Sequence, residues 1–179
     1  MIPKIKNILY ATDLSKNSAY AFRYAVNSAQ KHDADIHILH VMEGTTDYMD
    51  ALLTAYIEGL VSMSGSEDWK KKRRETQDYI VGRIKDRLRQ FAERELKDDP
   101  GILKRVVSIE VVPGDPATEI LGKAENPAMD IVILGTHGRG VIRHAFLGSV
   151  SEKVLQRIRK PVFVIPLPEG ETDITLGEM

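Results

Sequence analysis

Short runs of branched apolar residues alternate with longer stretches of helical period along this chain, and that alternation commits it to a parallel sheet with helices packed on both faces. The runs are Lys6 to Ala11 (KNILYA), Asp35 to Val41 (DIHILHV), Val106 to Val112 (VVSIEVV), Asp130 to Leu134 (DIVIL) and Val162 to Ile165 (VFVI). Each is bounded by turn or polar residues, which predicts five strands. Ser15 to His32 repeats Ala, Tyr and Phe at helical spacing. Asp115 to Ala124 opens with an N-cap aspartate and Pro116 at the first helical position. Ser149 to Arg159 is the last crossover helix. The expected architecture is a doubly wound, three-layer α/β/α domain over residues 1–168.

About sixty residues separate the second and third strands, too many for a plain connection, so they are expected to carry their own structure. Met49, Leu52, Leu53, Tyr56, Ile57, Leu60 and Val61 form an amphipathic stripe, and a helical insertion is placed at about 44–72. A second helix runs roughly from Trp69 to Leu96. Ile80, Ile84, Leu88, Phe91 and Glu95 trace one side of it, with Ala92 and Leu96 beside them, while Arg83, Lys85, Arg87 and Arg89 face water. Gly65 and Ser66 read as the hinge between the two. The polar face of the first stripe offers Asp50 and Glu58 but no lysine or arginine, which favours packing against the body or a second subunit over a membrane surface. Beyond Pro168 the tail, 169–179, is polar and expected to be flexible.

A chain of 179 residues with 42% apolar content can bury one core. Its net charge of -1 and pI near 6.5 argue against nucleic acid and anionic membranes as partners. The run KKKRR, Lys70 to Arg74, therefore reads as a solvated helix face. With no cysteine there are no disulfides, thiolate metal sites or cysteine nucleophile. The N-terminal stretch lacks the features of a signal peptide and no run is long enough to span a bilayer, so the expectation is a soluble cytoplasmic protein.

The chemistry concentrates in GTHGRGVIRHAFLGS, Gly135 to Ser149, directly behind the fourth strand. Gly135 and Gly138 can adopt backbone angles closed to other residues, so that successive N–H groups turn toward an anion. Gly148 and Ser149 then open a helix whose unpaired N–H groups and dipole face the same anion, an arrangement suited to a nucleotide. Ligands of open parallel sheets sit beyond the carboxyl ends of strands at the switch point, here between the first and fourth strands. Asp13, just past the first strand, suits either a divalent ion or water against phosphates, or a cap on the Ser15 helix. Ser149 and Glu152 fit a capping box, which can coexist with a phosphate role but does not require Gly135, Gly138 and Gly140. His137 and Arg139 can meet phosphate or ribose oxygens, or stand as plain surface groups. His137 and His144 have no carboxylate in their span, which disfavours metal ligation. His37 and His40 fall on opposite faces of one strand and read as packed or hydrogen-bonded. There is no P-loop, GxGxxG, GxSxG or HExxH pattern and no visible pairing of nucleophile with base, so fast phosphoryl transfer is the weaker reading.

These residues resemble the universal stress proteins, specifically their ATP-binding branch. Its signature of Gly, two residues, Gly, nine residues, Gly and Ser or Thr is met by Gly135, Gly138, Gly148 and Ser149. KNILYATDLSKNSAYAFRYA and VVPGDPATEIL are similar to the family's first strand with its helix and to its third strand with its turn. The resemblance implies a Rossmann-like, adenine nucleotide alpha hydrolase-like sheet of order 3-2-1-4-5 that binds ATP, or ADP or AMP, with Mg2+ or Mn2+ through the phosphates. Ala11, Thr12 and Asp13 would then line the adenosine and metal side, and Val41 would contact adenine. Gly135, Thr136, His137, Gly138, Arg139, Gly140 and Val141 would wrap ribose and phosphates, and Gly148, Ser149, Val150 and Ser151 would complete the cradle. Ala11 stands where relatives often carry proline, which affects loop stiffness more than chemistry. The resemblance also implies a homodimer through Val162 to Ile165 and a regulatory, stress-response role, in which bound nucleotide stabilises the dimer or a form that binds a protein partner. A slow Mg-dependent ATPase or autophosphorylating enzyme, and a scaffold without nucleotide, are the rival classes.

Overall fold

The computed structural model describes residues 2–43, 66–136 and 147–168, the side chains at 66–70, 72 and 73 excepted. Along the chain lie β1 (Asn7–Thr12), α1 (Lys16–His32), β2 (Asp35–Met42), α2 (Ser66–Glu95), α3 (Pro100–Leu103), β3 (Val106–Pro113), α4 (Pro116–Ala124), β4 (Ile131–Gly135), α5 (Ser149–Arg157) and β5 (Val162–Ile165). The strands form one parallel sheet, as the alternating pattern predicts, and its order β3-β2-β1-β4-β5 is the one the resemblance implies. Central β1 pairs with β2 from Asn7↔Asp35 to Thr12↔His40, and with β4 from Ile8↔Ile131 to Tyr10↔Ile133. The switch point therefore opens beyond Thr12 and Gly135.

The strands read as continuous apolar runs because both faces are covered, with alternate residues serving two separate cores. Ile8, Tyr10, Ile36, Ile38, Ile131 and Ile133 pack against Ala21, Phe22 and Ala25 of α1 and Leu88 and Phe91 of α2. Leu9, Ala11, Leu39, Val132 and Leu134 pack against Ala117 and Ile120 of α4 and Val154 of α5. Small residues on α1 let that helix approach the sheet, and Phe22 fills the remaining space with its ring 5.2 Å from both Tyr10 and Phe91. Tyr10 is fully buried and its hydroxyl donates to the carbonyl of Ser18 at 2.6 Å, which satisfies its one polar atom.

Local signals place several boundaries. Ser15 caps α1 by accepting from the Ser18 N–H, and Asp115 caps α4 by accepting from the Thr118 N–H with Pro116 in the first turn. The predicted apolar side of α2 is the packed one: Leu88, Phe91, Ala92 and Leu96 are buried, and Ile80 and Ile84 are partly so. Lys71 and Arg74 are exposed. Two expectations are corrected, and one element is additional. Helix α2 begins at Ser66, so Ser66 is helical and not a hinge. Helix α5 ends at Arg157 instead of Arg159, because Ile158 turns extended (φ -70, ψ 143) ahead of Pro161 and packs into the second core. The short helix α3, capped by Asp99, was not anticipated; four residues are too few for a period to register. Gly65, the Met49 to Val61 stripe and the tail 169–179 lie outside the described residues. No helix among the described residues is long and apolar enough to cross a membrane.

Candidate functional site

The end of β1 is a turn held by side-chain hydrogen bonds. The Thr12 hydroxyl donates to Ser18 Oγ at 2.9 Å and accepts from the Leu14 N–H at 3.1 Å. Asp13 Oδ1 accepts from the Ser15 N–H at 3.0 Å. The turn requires Leu14 to take a left-handed conformation, φ 65, at a cost of roughly 1–2 kcal/mol for a residue with a Cβ. Packing of Leu14 against the α1/α2 core offsets that cost. The cap of α1 is Ser15, so Asp13 closes the turn ahead of the helix and does not serve as its N-cap. From β2, buried His40 reaches the carbonyl of Thr12 at 2.8 Å through Nδ1. A carbonyl can only accept, so Nδ1 carries the proton and the imidazole fixes the peptide joining Thr12 to Asp13.

Across the switch point, β4 leaves the sheet through Gly135 and Thr136. The Ser151 hydroxyl donates to the Gly135 carbonyl at 2.8 Å. Thr136 donates its N–H to Ile165 at 3.0 Å, and its carbonyl accepts from the Gly148 N–H at 2.7 Å. Asn17 Nδ2 donates to Thr136 Oγ1 at 2.9 Å. These bonds bring the start of α5 and the start of α1 onto the exit of β4, and so seat Gly148 and Ser149 beside Gly135 as their spacing suggests. The need for glycine at 135 differs from the one expected: Gly135 has no positive φ, and a Cβ there would lie 2.7 Å from Asn17 Oδ1. Space, not backbone angle, excludes a side chain.

Helix α5 corrects a second expectation. Its N-cap is Gly148, in extended conformation and without a side-chain cap bond, and Ser149 is the first helical residue. The Ser149 and Glu152 capping box does not form, because the Gly148 carbonyl already accepts from the Glu152 N–H at 2.9 Å and Glu152 Oε1 accepts from Gln156. Ser149 is exposed, whereas Ser151 is buried with its hydroxyl committed to β4. Ala11, Val41 and Val150 belong to the α4/α5 face of the sheet, so these three predicted residues share one side of the cleft with the start of α5. His137, Gly138, Arg139, Gly140, Val141 and His144 lie outside the described residues.

His37 and His40 are both hydrogen-bonded, on opposite faces, as their spacing predicts. His37 Nδ1 meets Ser108 Oγ at 2.9 Å and Nε2 meets Asn7 Oδ1 at 3.1 Å, at the amino end of the sheet. Burial holds its pKa below the ordinary 6.5, against the opposing pull of Asp35 and Glu110. Among the described residues, no three His, Asp or Glu side chains gather as a metal site. Asn17, Ser18 and the specific bond of His40 escaped the sequence reading. A polar residue at the second position of α1, ahead of the small residues Ser18, Ala19 and Ala21, was the available signal for Asn17.

The model of the universal stress protein family matches residues 4–166. Universal stress protein MJ0577 of Methanocaldococcus jannaschii is 26% identical over 161 residues, which cover 89% of this chain and 94% of that protein. A universal stress protein of Thermus aquaticus is 28% identical over 160 residues, 89% of this chain and 98% of its own. Among solved structures, MJ0577 superposes with a TM-score of 0.66 at 23% identity, covering 94% of this chain and 100% of that one. Universal stress protein UspA from Lactobacillus plantarum gives 0.65 at 24% identity, covering 92% and 99%. A universal stress protein in complex with cAMP gives 0.50 at 19%, covering 92% and 98%. At these identities the structural likenesses show the shared Rossmann-like α/β fold.

Proposed function

The chain belongs to the universal stress protein family, and on that premise we propose that it is an ATP-binding regulatory module of the stress response, working in the cytoplasm as a homodimer. The observation that carries the reading is the seating of Gly148 against the exit of β4 by its 2.7 Å bond to Thr136, which brings both ends of the Gly-x2-Gly-x9-Gly-Ser spacing to the switch point. The first turn of α5 has no side-chain cap and is a natural anion site, so the backbone N–H groups at Ser149 and Val150 would meet phosphate. Ser151 would act through position, since its hydroxyl holds Gly135. Gly135 to Val141 would wrap ribose and phosphates, Val41 and Ala11 would flank the adenine side, and Asp13 would hold Mg2+ or Mn2+ directly or through water. That a family neighbour was solved with cAMP supports a nucleotide in this fold. The edge strand β5 leaves Phe163 43% exposed, which suits pairing with a second copy.

Nucleotide occupancy, in this reading, stabilises the dimer or a form that engages a regulatory protein. Calorimetric titration of the nucleotide-free chain with ATP and Mg2+ tests it: saturable binding that Gly138→Val abolishes is expected, because a branched side chain would block the phosphate path. Gly138→Val that binds ATP as the unchanged chain does would refute the site. Mass spectrometry of the co-purified nucleotide identifies ATP, ADP or AMP. Mg2+-dependent ADP formation over hours, lost in Asp13→Ala with binding retained, would turn the assignment to a slow ATPase.

A further inference from the structure

Asn17 is a polar side chain buried in the first turn of α1, only 6% exposed. Both ends of its amide are used at the site. Nδ2 donates to Thr136 Oγ1, and Oδ1 occupies the space that a Cβ on Gly135 would need. The helix that carries it is tied to the Asp13 turn, because Ser15 and Ser18 bond to one another, Ser18 Oγ accepts from the Thr12 hydroxyl and the Ser15 N–H donates to Asp13. Residues 135–136 are in turn tied to α5 and β5. One amide therefore spans the two walls of the cleft, joining the loop after β1 to the loop after β4.

We propose that Asn17 is a positioning residue for the phosphate end of the nucleotide site, setting the separation between the Asp13 turn and the Gly135 loop and presenting a neutral wall behind the backbone that meets the phosphates. The proposal rests on the nucleotide reading above. A neutral amide satisfies the Thr136 hydroxyl without placing charge beside a bound anion, whereas a carboxylate of the same shape satisfies the same hydroxyl and repels the ligand.

Asn17→Asp separates this role from a purely structural one. The first turn of α1 contains no acidic residue. An aspartate at its second position is favoured by the helix dipole and can accept from the Thr136 hydroxyl, gains that oppose the cost of burying its charge, so the protein should still fold and melt cooperatively. Affinity should nonetheless fall in the order of ligand charge, about tenfold or more for ATP, less for ADP and least for AMP. Asn17→Ala removes the tie without adding charge and should weaken all three nucleotides by a similar factor. Ser28→Ala, at a buried position in the far half of α1, is the control that should leave affinity unchanged. The experiment is calorimetric titration of the four full-length proteins with ATP, ADP and AMP, alongside thermal melts. Folded Asn17→Asp and Asn17→Ala proteins that bind ATP within twofold of the unchanged chain would overturn the proposal. So would an Asn17→Asp that loses ATP and AMP equally and in step with its melting temperature. If Asn17→Asp does not fold, Asn17→Ala against the Ser28 control decides: equal affinities refute, a selective loss supports. An unchanged chain that binds none of the three nucleotides refutes the nucleotide reading, and this inference with it.

Discussion

Gly135→Ala asks whether the contact between Asn17 and β4 is as tight as it looks. The added Cβ would stand 2.7 Å from Asn17 Oδ1 and 3.0 Å from its Cγ, closer than side chains tolerate. The amide could swing away, but it is buried and would give up its bond to Thr136 with both partners out of water, at about 1–3 kcal/mol. Alternatively β4 could shift, which is overpacking at about 1–3 kcal/mol. These are competing routes, so the cheaper one sets the loss. Against it stands about 0.4–1 kcal/mol from the reduced freedom of the unfolded chain, since Gly135 does not use a glycine-only conformation. Around the middle of these ranges the net destabilisation is about 1–2 kcal/mol, or about 2–8 °C for a chain of this length. With Asn17→Ala in place, the nearest remaining atom of residue 17 to the new Cβ is its backbone carbon at 3.4 Å. The alanine at 135 should then be nearly neutral, a coupling of about 1–2 kcal/mol in the double-mutant cycle. Urea unfolding of the four proteins measures it. A Gly135→Ala within about 0.5 kcal/mol of the unchanged chain, or an equal loss in both backgrounds, would refute the reasoning.

Replacing His40 by leucine should destabilise by about 1–3 kcal/mol, because the Thr12 carbonyl loses its donor at a buried site. His40→Asn, which keeps a donor near the Nδ1 position, should recover much of that loss in urea melts; equal losses in both variants would remove the hydrogen bond as the cause. Ser151→Ala frees the Gly135 carbonyl and should lower stability by about 0.5–1.5 kcal/mol, with a measurable drop in ATP affinity by calorimetry. His37 has a folded-state pKa below 6.5, so the unfolded chain binds more protons in the interval beneath that value. Its contribution is fully present above 6.5 and is lost as pH falls through the interval, so stability rises with pH there. His37→Gln should flatten the part of the melting profile just below pH 6.5, and an unchanged slope would count against the assignment.

What the sequence made legible were features whose cause is local or periodic. Strands covered on both faces must read as branched apolar runs, and caps such as Ser15 and Asp115 act within three residues of themselves. The glycine and serine spacing was legible for a similar reason, since Gly148 is drawn to the residue next to Gly135. The polar framework was not. Asn17 and Thr136 are 119 residues apart, and His40 and Thr12 are 28 apart, so no window of sequence holds both partners. Local patterns could also mislead. Ser149 and Glu152 have capping-box spacing, but a glycine one residue upstream starts the helix first. At Gly135 the expected backbone-angle reason does not hold: the glycine makes room for a neighbour contributed by α1, which only the folded topology supplies.

The two buried polar links do different work, and their energies bear on how a nucleotide would act. His40 holds the β1 side from within the sheet, whereas Asn17 joins that side to β4 through side chains that meet only when α1 is docked. A ligand bridging the same two walls would add to the second link more than to the first. ATP at about a hundred times its Kd would stabilise the folded chain by about 2.7 kcal/mol, more than the loss assigned to Gly135→Ala. Saturating ATP should therefore restore the melting temperature of Gly135→Ala if the loop still closes on phosphate, and leave the defect untouched if the displaced amide has opened the cleft. Restoration with Asn17→Ala but not with Asn17→Asp would trace the difference to charge behind Gly135 and not to the lost hydrogen bond.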